Sequence, residues 1–318
     1  MHSFRTTPLA RGTIRVPSAL LLALLFASCQ DGPVAPRSSG VALAPPLALG
    51  ESRADRAFEF TTIEFPGASA TQASGINARG DMVGAYVLNG VTHGFVLRDG
   101  EFTTIDYPGS EASDVRGIGP DGDIVGTYRL PGQTGQVHGY VRRNDGEFIP
   151  VNSAGHTNTI AQRILPDGTI LGCRHDHNGT TTMRGIMVSR EGYSELDVHA
   201  SMHNGATPDG RTIVGLYMNM DAGDRQEGYR IDDGVFTALV APNSNFTAAW
   251  DINPAGDIVG VYRSLDNKFH GFLLRDETYT TIDFPNASAT RAFGINARGD
   301  VVGNYFLGGK TYGYVATR

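Results

Sequence analysis

From Phe58 onward, apolar positions come in short runs that never sustain a helical period, and polar turn formers separate them. The first set reads as four strands: Ala73–Asn77, Met82–Leu88, His93–Arg98 and Phe102–Tyr107. Between them lie Ala78-Arg79-Gly80-Asp81, Asn89-Gly90 and Asp99-Gly100, and Pro108 stops the last strand. Asn-Gly and Asp-Gly mark turns because both residues tolerate positive φ. The first strand is poor in apolar residues, which suits an innermost strand lining a narrow channel. The second and third carry apolar residues on both faces, as strands do when a sheet is packed between two neighbours.

This pattern repeats. Residues 61–96, TTIEFPGASATQASGINARGDMVGAYVLNGVTHGFV, return nearly intact at 280–315, and four more worn copies lie between. The glycine of an Ile/Val-Val-Gly-x-Tyr pattern falls at Gly84, Gly126, Gly172, Gly215, Gly260 and Gly303, with spacings of 42, 46, 43, 45 and 43 residues. A unit of roughly 40–45 residues with four strands is the propeller-blade range. The phase is permuted: the domain opens on a fourth-type strand, Glu59–Phe65, and ends on a third-type strand, Tyr312–Ala316. The expectation is an all-β, six-bladed β-propeller with four antiparallel strands per blade, its last blade closed by the N-terminal strand. The domain boundaries are 1–28 for an export signal, 29–57 for a tether and 58–318 for the propeller.

The repeating text resembles the extracellular HAF-repeat proteins. Gly75-Ile76-Asn77 and Gly294-Ile295-Asn296 match the opening of that family's unit. Ile124-Val125-Gly126-x-Tyr128 and Ile258-Val259-Gly260-x-Tyr262 match its centre, and Thr104-Ile105-Asp106-Tyr107-Pro108-Gly109 matches its end. Its His-Ala-Phe tripeptide stands here as His93-Gly94-Phe95, His138-Gly139-Tyr140 and His270-Gly271-Phe272. The resemblance implies export and a repeat architecture but no settled activity, so it carries the histidine over as a fold residue.

Charge and the N-terminal segment bear on location. The formal charge is −7, and removal of residues 1–28 takes away Arg5, Arg11 and Arg15, leaving 23 basic against 33 acidic residues. No basic patch offsets this, so no nucleic-acid partner is expected. Those arginines precede an apolar run, Ala19–Ala27, too short for a comfortable membrane span. Leu25-Phe26-Ala27-Ser28-Cys29 resembles a bacterial lipobox, which implies lipidation at Cys29, a lipid anchor to membrane, and display at the bacterial cell envelope, at the outer membrane or cell surface. The proline-, alanine- and serine-rich residues that follow read as a tether.

Candidate chemistry is sparse. Cys173, His175 and His177 alternate, so an extended backbone would put all three on one side as weak metal candidates, and His199 with His203 offers a comparable alternative. Asp-rich turns leave structural calcium as a further weak candidate, and no cofactor is expected beyond these. Arg79-Gly80-Asp81 and Arg298-Gly299-Asp300 sit where the turn itself calls for Gly-Asp. Acids at the outer strand, among them Glu64, Asp106, Asp197 and Asp283, recur with the repeat and read as structural. Loops from every copy converge at the channel mouth, where Asn158, His203, Asn245 and Trp250 are the candidate ligand-binding face. Repeated loops without a unique reactive constellation favour a non-enzymatic scaffold or recognition module for envelope or extracellular protein or glycan partners. The alternative is an extracellular hydrolase or lyase acting on carbohydrate or a small metabolite.

Overall fold

The computed structural model describes residues 57–176, 182–198 and 200–318. The export signal, Cys29, the tether up to Arg56, His177 and His199 lie outside the described residues.

Among the described residues the first strand is β1 (Glu59–Ile63), followed by β2 (Ala70–Ile76), β3 (Met82–Leu88), β4 (Val91–Arg98) and β5 (Glu101–Ile105). Four separate sheets come next, each a four-stranded antiparallel meander. The first is β6 (Ala112–Ile118), β7 (Ile124–Arg129), β8 (His138–Arg142) and β9 (Phe148–Val151). The second is β10 (Asn158–Ile164), β11 (Ile170–His175), β12 (Arg184–Ser189) and β13 (Gly192–Glu195). The third is β14 (Met202–Ala206), β15 (Thr212–Asn219), β16 (Arg225–Asp232) and β17 (Val235–Leu239). The fourth is β18 (Ser244–Ile252), β19 (Ile258–Ser264), β20 (Phe269–Arg275) and β21 (Thr278–Ile282). The chain ends with β22 (Ala289–Ile295), β23 (Val301–Leu307) and β24 (Lys310–Thr317).

The expectation of six separate blades, the last closed by the N-terminal strand, is corrected here. Among the described residues, hydrogen bonding gives four discrete four-stranded propeller blades and one eight-stranded sheet, which joins β22, β23, β24 and β1 to β2, β3, β4 and β5. The cause is local. β24 begins directly after the Gly308-Gly309 turn, and Thr311 near its start forms a parallel bridge with Ala70 of β2. β1 pairs antiparallel with β24, Glu59 opposite Thr317 and Ile63 opposite Gly313, inside this larger sheet rather than in a blade of its own.

The repeated residues have specific packing jobs. Gly126 of the Val-Gly-x-Tyr pattern lies under the Tyr140 ring, and a Cβ there would sit 2.0 Å from the Asp114 carbonyl oxygen. In three copies an aromatic precedes the repeat proline and stacks on the pattern tyrosine of the next copy. Phe65 on Tyr86, Tyr107 on Tyr128 and Phe284 on Tyr305 all have centroids 3.6 Å apart. These contacts tie consecutive units together. The repeat histidine stacks on the pattern tyrosine of its own copy, as His93 does on Tyr86 and His270 on Tyr262. Each then bonds an acid of the outer strand region, His93 Nδ1 to Asp106 Oδ2 at 2.8 Å and His270 Nδ1 to Asp283 Oδ2 at 2.9 Å. Glu64 pairs with Lys310 instead.

The Arg-Gly-Asp turns close on themselves. Asn77 Oδ1 accepts the amides of Arg79 and Asp81, and its Nδ2 donates to Asp81 Oδ2. Arg79 pairs with Asp81 and reaches the Pro120 carbonyl of the next unit; Arg298 pairs with Asp300 and reaches the Ala78 carbonyl.

Candidate functional site in the central channel

The first strand of every copy lies innermost. β2, β6, β10, β14, β18 and β22 contact one another in succession, and β22 returns to β2. Each carries a bulge at the same place, between Ala73/Gly75, Val115/Gly117, Ala161/Arg163, His203/Gly205, Ala249/Asp251 and Ala292/Gly294. A bulge sets two residues against one and re-aims side chains. The shared register sorts the channel positions into three layers. Outermost are Gln72, Asp114, Ile160, Met202, Ala248 and Arg291. At the bulge are Ser74, Arg116, Gln162, Asn204, Trp250 and Phe293. Beyond it are Gly75, Gly117, Arg163, Gly205, Asp251 and Gly294.

The third layer is the narrowest. Cα of Gly117 lies close to the Gly75 position, and a Cβ on Gly205 would sit 2.7 Å from Asp251 Oδ1. Arg163 and Asp251 replace the glycine in their copies and cross the axis. Arg163 Nη1 donates to the carbonyls of Arg116 (2.6 Å) and Gln162 (3.0 Å), and its Nη2 to those of Ser74 (3.1 Å) and Phe293 (2.5 Å). Its Nε is 3.5 Å from Asp251 Oδ1. Asp251 in turn accepts the amides of Ile252 and Ile295. Burial pushes the Asp251 carboxyl above its usual range, against the pull of Arg163.

This crossing divides the channel. On the turn side lies a cavity of about 170 Å³ walled largely by Ile76, Ile118, Ile164, Leu165, Ile252 and Ile295, with Arg163 and Asp251 at its floor. On the other side lies a polar well of about 330 Å³. Its walls include Gln72, Asp114, Arg116, Gln162, Trp250, Arg291, Phe293 and Asn304. The outermost layer is polar on β22, β2 and β6, whereas Ile160, Met202 and Ala248 belong to an apolar cluster with Cys173.

Within the well, Arg116 grips Asp114 through Nη2–Oδ2 at 2.8 Å and Nε–Oδ1 at 3.2 Å, and its Nη1 donates to Gln162 Oε1 at 3.3 Å. Thr127 donates to Asp114 Oδ1 from both its amide and its hydroxyl. Trp250 stands edge-on to Phe293, with centroids 5.1 Å apart. Asp114 is the one carboxylate among the residues lining this well.

Of the four residues expected at the ligand face, Trp250 lies in the well. Asn158 is buried, its Oδ1 accepting the Val137 amide at 2.7 Å. His203 is buried with its Nδ1 2.7 Å from the Tyr229 hydroxyl, and desolvation lowers its pKa to about 4. Asn245 is held by Arg263, whose Nε donates to its Oδ1 at 2.7 Å. Cys173 is fully buried among Met183, Met202 and Leu216, and desolvation pushes its thiol up to about 12. A neutral thiol in such a setting is a poor metal ligand. Among the described residues no three His, Cys, Asp or Glu side chains are grouped to hold a metal ion. Asp114, Arg116, Gln162 and Arg291 were not singled out from sequence. The signal lay one and three residues before the repeat's Gly-Ile pair, where the copies differ.

No family model matches the chain, and no curated protein matches it by sequence. Solved structures do match in fold. A gluconolactonase from Xanthomonas campestris superposes with a TM-score of 0.52 at 12% identity, over 87% of this chain and 96% of that one. The SapL1 lectin, solved with alpha methyl fucoside, gives 0.51 at 10% identity, over 76% and 90%. A putative TolB from Agrobacterium tumefaciens gives 0.50 at 15% identity, over 65% and 74%. The chain has a β-propeller fold, shared with enzymes and with binding proteins. The expectation that favoured a non-enzymatic role is therefore corrected: a catalytic propeller of this fold exists in the gluconolactonase, and repeat architecture gives no ground against catalysis.

Proposed function

We propose that this chain is a hydrolase or lyase acting on a carbohydrate or another small polar metabolite, with its substrate seated in the polar well. The observation that carries the reading is the convergence of Asp114, Arg116, Gln162 and Trp250 in one cavity of about 330 Å³. That volume is at the small end of ligand pockets, large enough for a sugar-sized molecule. Trp250 offers an aromatic face for the C–H face of a sugar, and Gln162 and Arg116 offer donors to hydroxyl or carbonyl oxygens. Asp114 is the group positioned to take a proton from water or from a substrate carbon.

A single lining carboxylate narrows the chemistry. Glycoside hydrolysis commonly uses two carboxyl groups roughly 5–10 Å apart, and the well supplies one. Opening of an activated ester such as a sugar lactone, or elimination next to a carbonyl, needs only one base with a donor near the developing oxyanion. The gluconolactonase that shares the fold is in keeping with the first of these.

The test is turnover by residues 57–318 on sugar lactones and on uronate-containing oligosaccharides. Asp114→Asn keeps the hydrogen bonds from Thr127 but removes the base, so we expect activity to fall about 100-fold or more. Turnover equal in wild type and Asp114→Asn, or no turnover on either class, rejects the reading.

We propose further that the enzyme is exported and tethered to the cell envelope through lipidated Cys29, with the HAF-repeat resemblance in support. Intact-mass analysis of membrane-extracted protein checks this: an N-terminus elsewhere, without acyl mass, refutes it.

A further inference from the structure

We propose that Arg291 is a carboxylate-recognition residue, so that the ligand of the well is a polyhydroxylated monocarboxylate. This rests on the reading of the well as a ligand site and names the class of molecule it takes.

Three charged side chains line the well: Asp114, Arg116 and Arg291. Asp114 and Arg116 neutralise each other through two hydrogen bonds. Arg291 has no carboxylate partner among the described residues; its guanidinium lies over the Phe269 ring at 4.5 Å. The well therefore holds one uncompensated positive charge inside a chain of net charge −7. A half-buried guanidinium without an anion is costly, and burial lowers the Arg291 pKa accordingly. A planar fork fixed against an aromatic ring is preorganised for bidentate contact with a carboxylate.

A second, independent feature lies beside it. Asn304 is the cross-strand partner of Arg291 between β22 and β23. Its Nδ2 donates to Gln72 Oε1 at 2.8 Å, but its Oδ1 is buried with no hydrogen-bond partner. Asn304 lines the same well, so this is an acceptor awaiting a donor such as a ligand hydroxyl. The charge at Arg291, the acceptor at Asn304 and the aromatic surface of Trp250 and Phe293 together ask for a carboxylate, a hydroxyl and a C–H face in one molecule. Aldonates and uronates both have this chemistry.

Trp250 is the single tryptophan of the chain, so its fluorescence reports on the well alone. The experiment titrates the full-length protein with D-gluconate, D-glucuronate and neutral D-glucose at one ionic strength. We expect saturable change with one or both acids and at least tenfold weaker response to glucose. Arg291→Gln should weaken acid binding tenfold or more, while Arg291→Lys, which keeps the charge but not the fork, should fall between. Thermal melting of both variants controls for folding, and an unfolded Arg291→Gln leaves the Lys variant to decide. Glucose binding as tightly as the acids, acid binding unchanged in both variants, or no response to any of the three overturns the inference. Turnover of neutral substrates with no acid preference rejects it while sparing the proposed function. Acid binding without turnover does the reverse.

Discussion

Arg163 and Asp251 stand where the other four copies of the repeat carry glycine, and their side chains meet across the axis, Nε to Oδ1 at 3.5 Å. The four glycines leave the room, and the two charged residues fill it. The Arg163 guanidinium gathers carbonyls from β2, β6, β10 and β22, so one side chain holds four inner strands at the narrowest layer.

Removing one partner leaves a buried charge unpaired. Arg163→Met should destabilise the domain by about 3–5 kcal/mol, read as a lower midpoint in urea unfolding. Asp251→Gly alone should cost a similar amount. The double variant Arg163→Gly/Asp251→Gly returns both copies to the consensus and leaves no orphan charge, so its cost should be less than the sum by about 1–3 kcal/mol. Additive losses would show that the two residues act separately.

His203 gives a pH dependence of defined sign. Burial holds its folded pKa at about 4, below its ordinary 6.5. Above pH 6.5 the ring is neutral in folded and unfolded chains and costs nothing. As the pH falls from 6.5 toward 4, the unfolded chain takes up a proton that the folded one refuses, and stability drops. At pH 4.5 the loss through this residue is about 2–3 kcal/mol. His203→Gln retains a partner for the Tyr229 hydroxyl and cannot titrate, so its stability should fall less between pH 7 and 4.5. An identical fall in both proteins would contradict the assignment.

The repeat itself was legible because its residues serve packing, and packing demands recur with each copy. Gly126 and Tyr128 stand in the repeated pattern that set the ruler of the copies, and the HAF-repeat resemblance carried His138 over as a fold residue. Apart from Trp250, the well was not legible, for two reasons. The bulge at each inner strand breaks the simple alternation that would say which side chains face the channel, so Arg116 and Trp250 occupy the unpaired position. Residue type also misled: His203 and Asn158 look chemical in sequence, yet Tyr229 and Val137 already use their polar atoms. The eight-stranded sheet was hidden for a different reason. The Ala70–Thr311 bridge is a backbone contact, and no side-chain pattern announces it.

The glycine of the Val-Gly-x-Tyr pattern makes a steric prediction. A Cβ at Gly126 would lie 2.0 Å from the Asp114 carbonyl oxygen and 2.8 Å from the Tyr140 hydroxyl oxygen. Gly126→Ala must push β6 and β7 apart or displace Tyr140, at a cost of about 3 kcal/mol or more. Gly119→Ala is the comparison, because its nearest neighbour is the Ile164 side chain at 3.3 Å, which can give way. Its melting temperature should fall by only a few degrees. Equal losses would mean that the close approach seen at Gly126 is not what excludes a side chain.

Because Arg163 closes the axis, the well should be reached from one mouth alone, and this can be tested without any ligand. Trp250 lies on the well side of the crossing, and Ala85 lines the well with it. Ala297 lines the cavity on the opposite, turn side. Acrylamide quenching of Trp250 should therefore drop when Ala85→Phe fills the well. Ala297→Arg, which crowds the other mouth, should leave quenching unchanged. Opening the crossing with Arg163→Gly/Asp251→Gly should make quenching sensitive to Ala297→Arg as well. If Ala297→Arg protects Trp250 while Arg163 is intact, quencher passes the third layer and the two cavities are one channel.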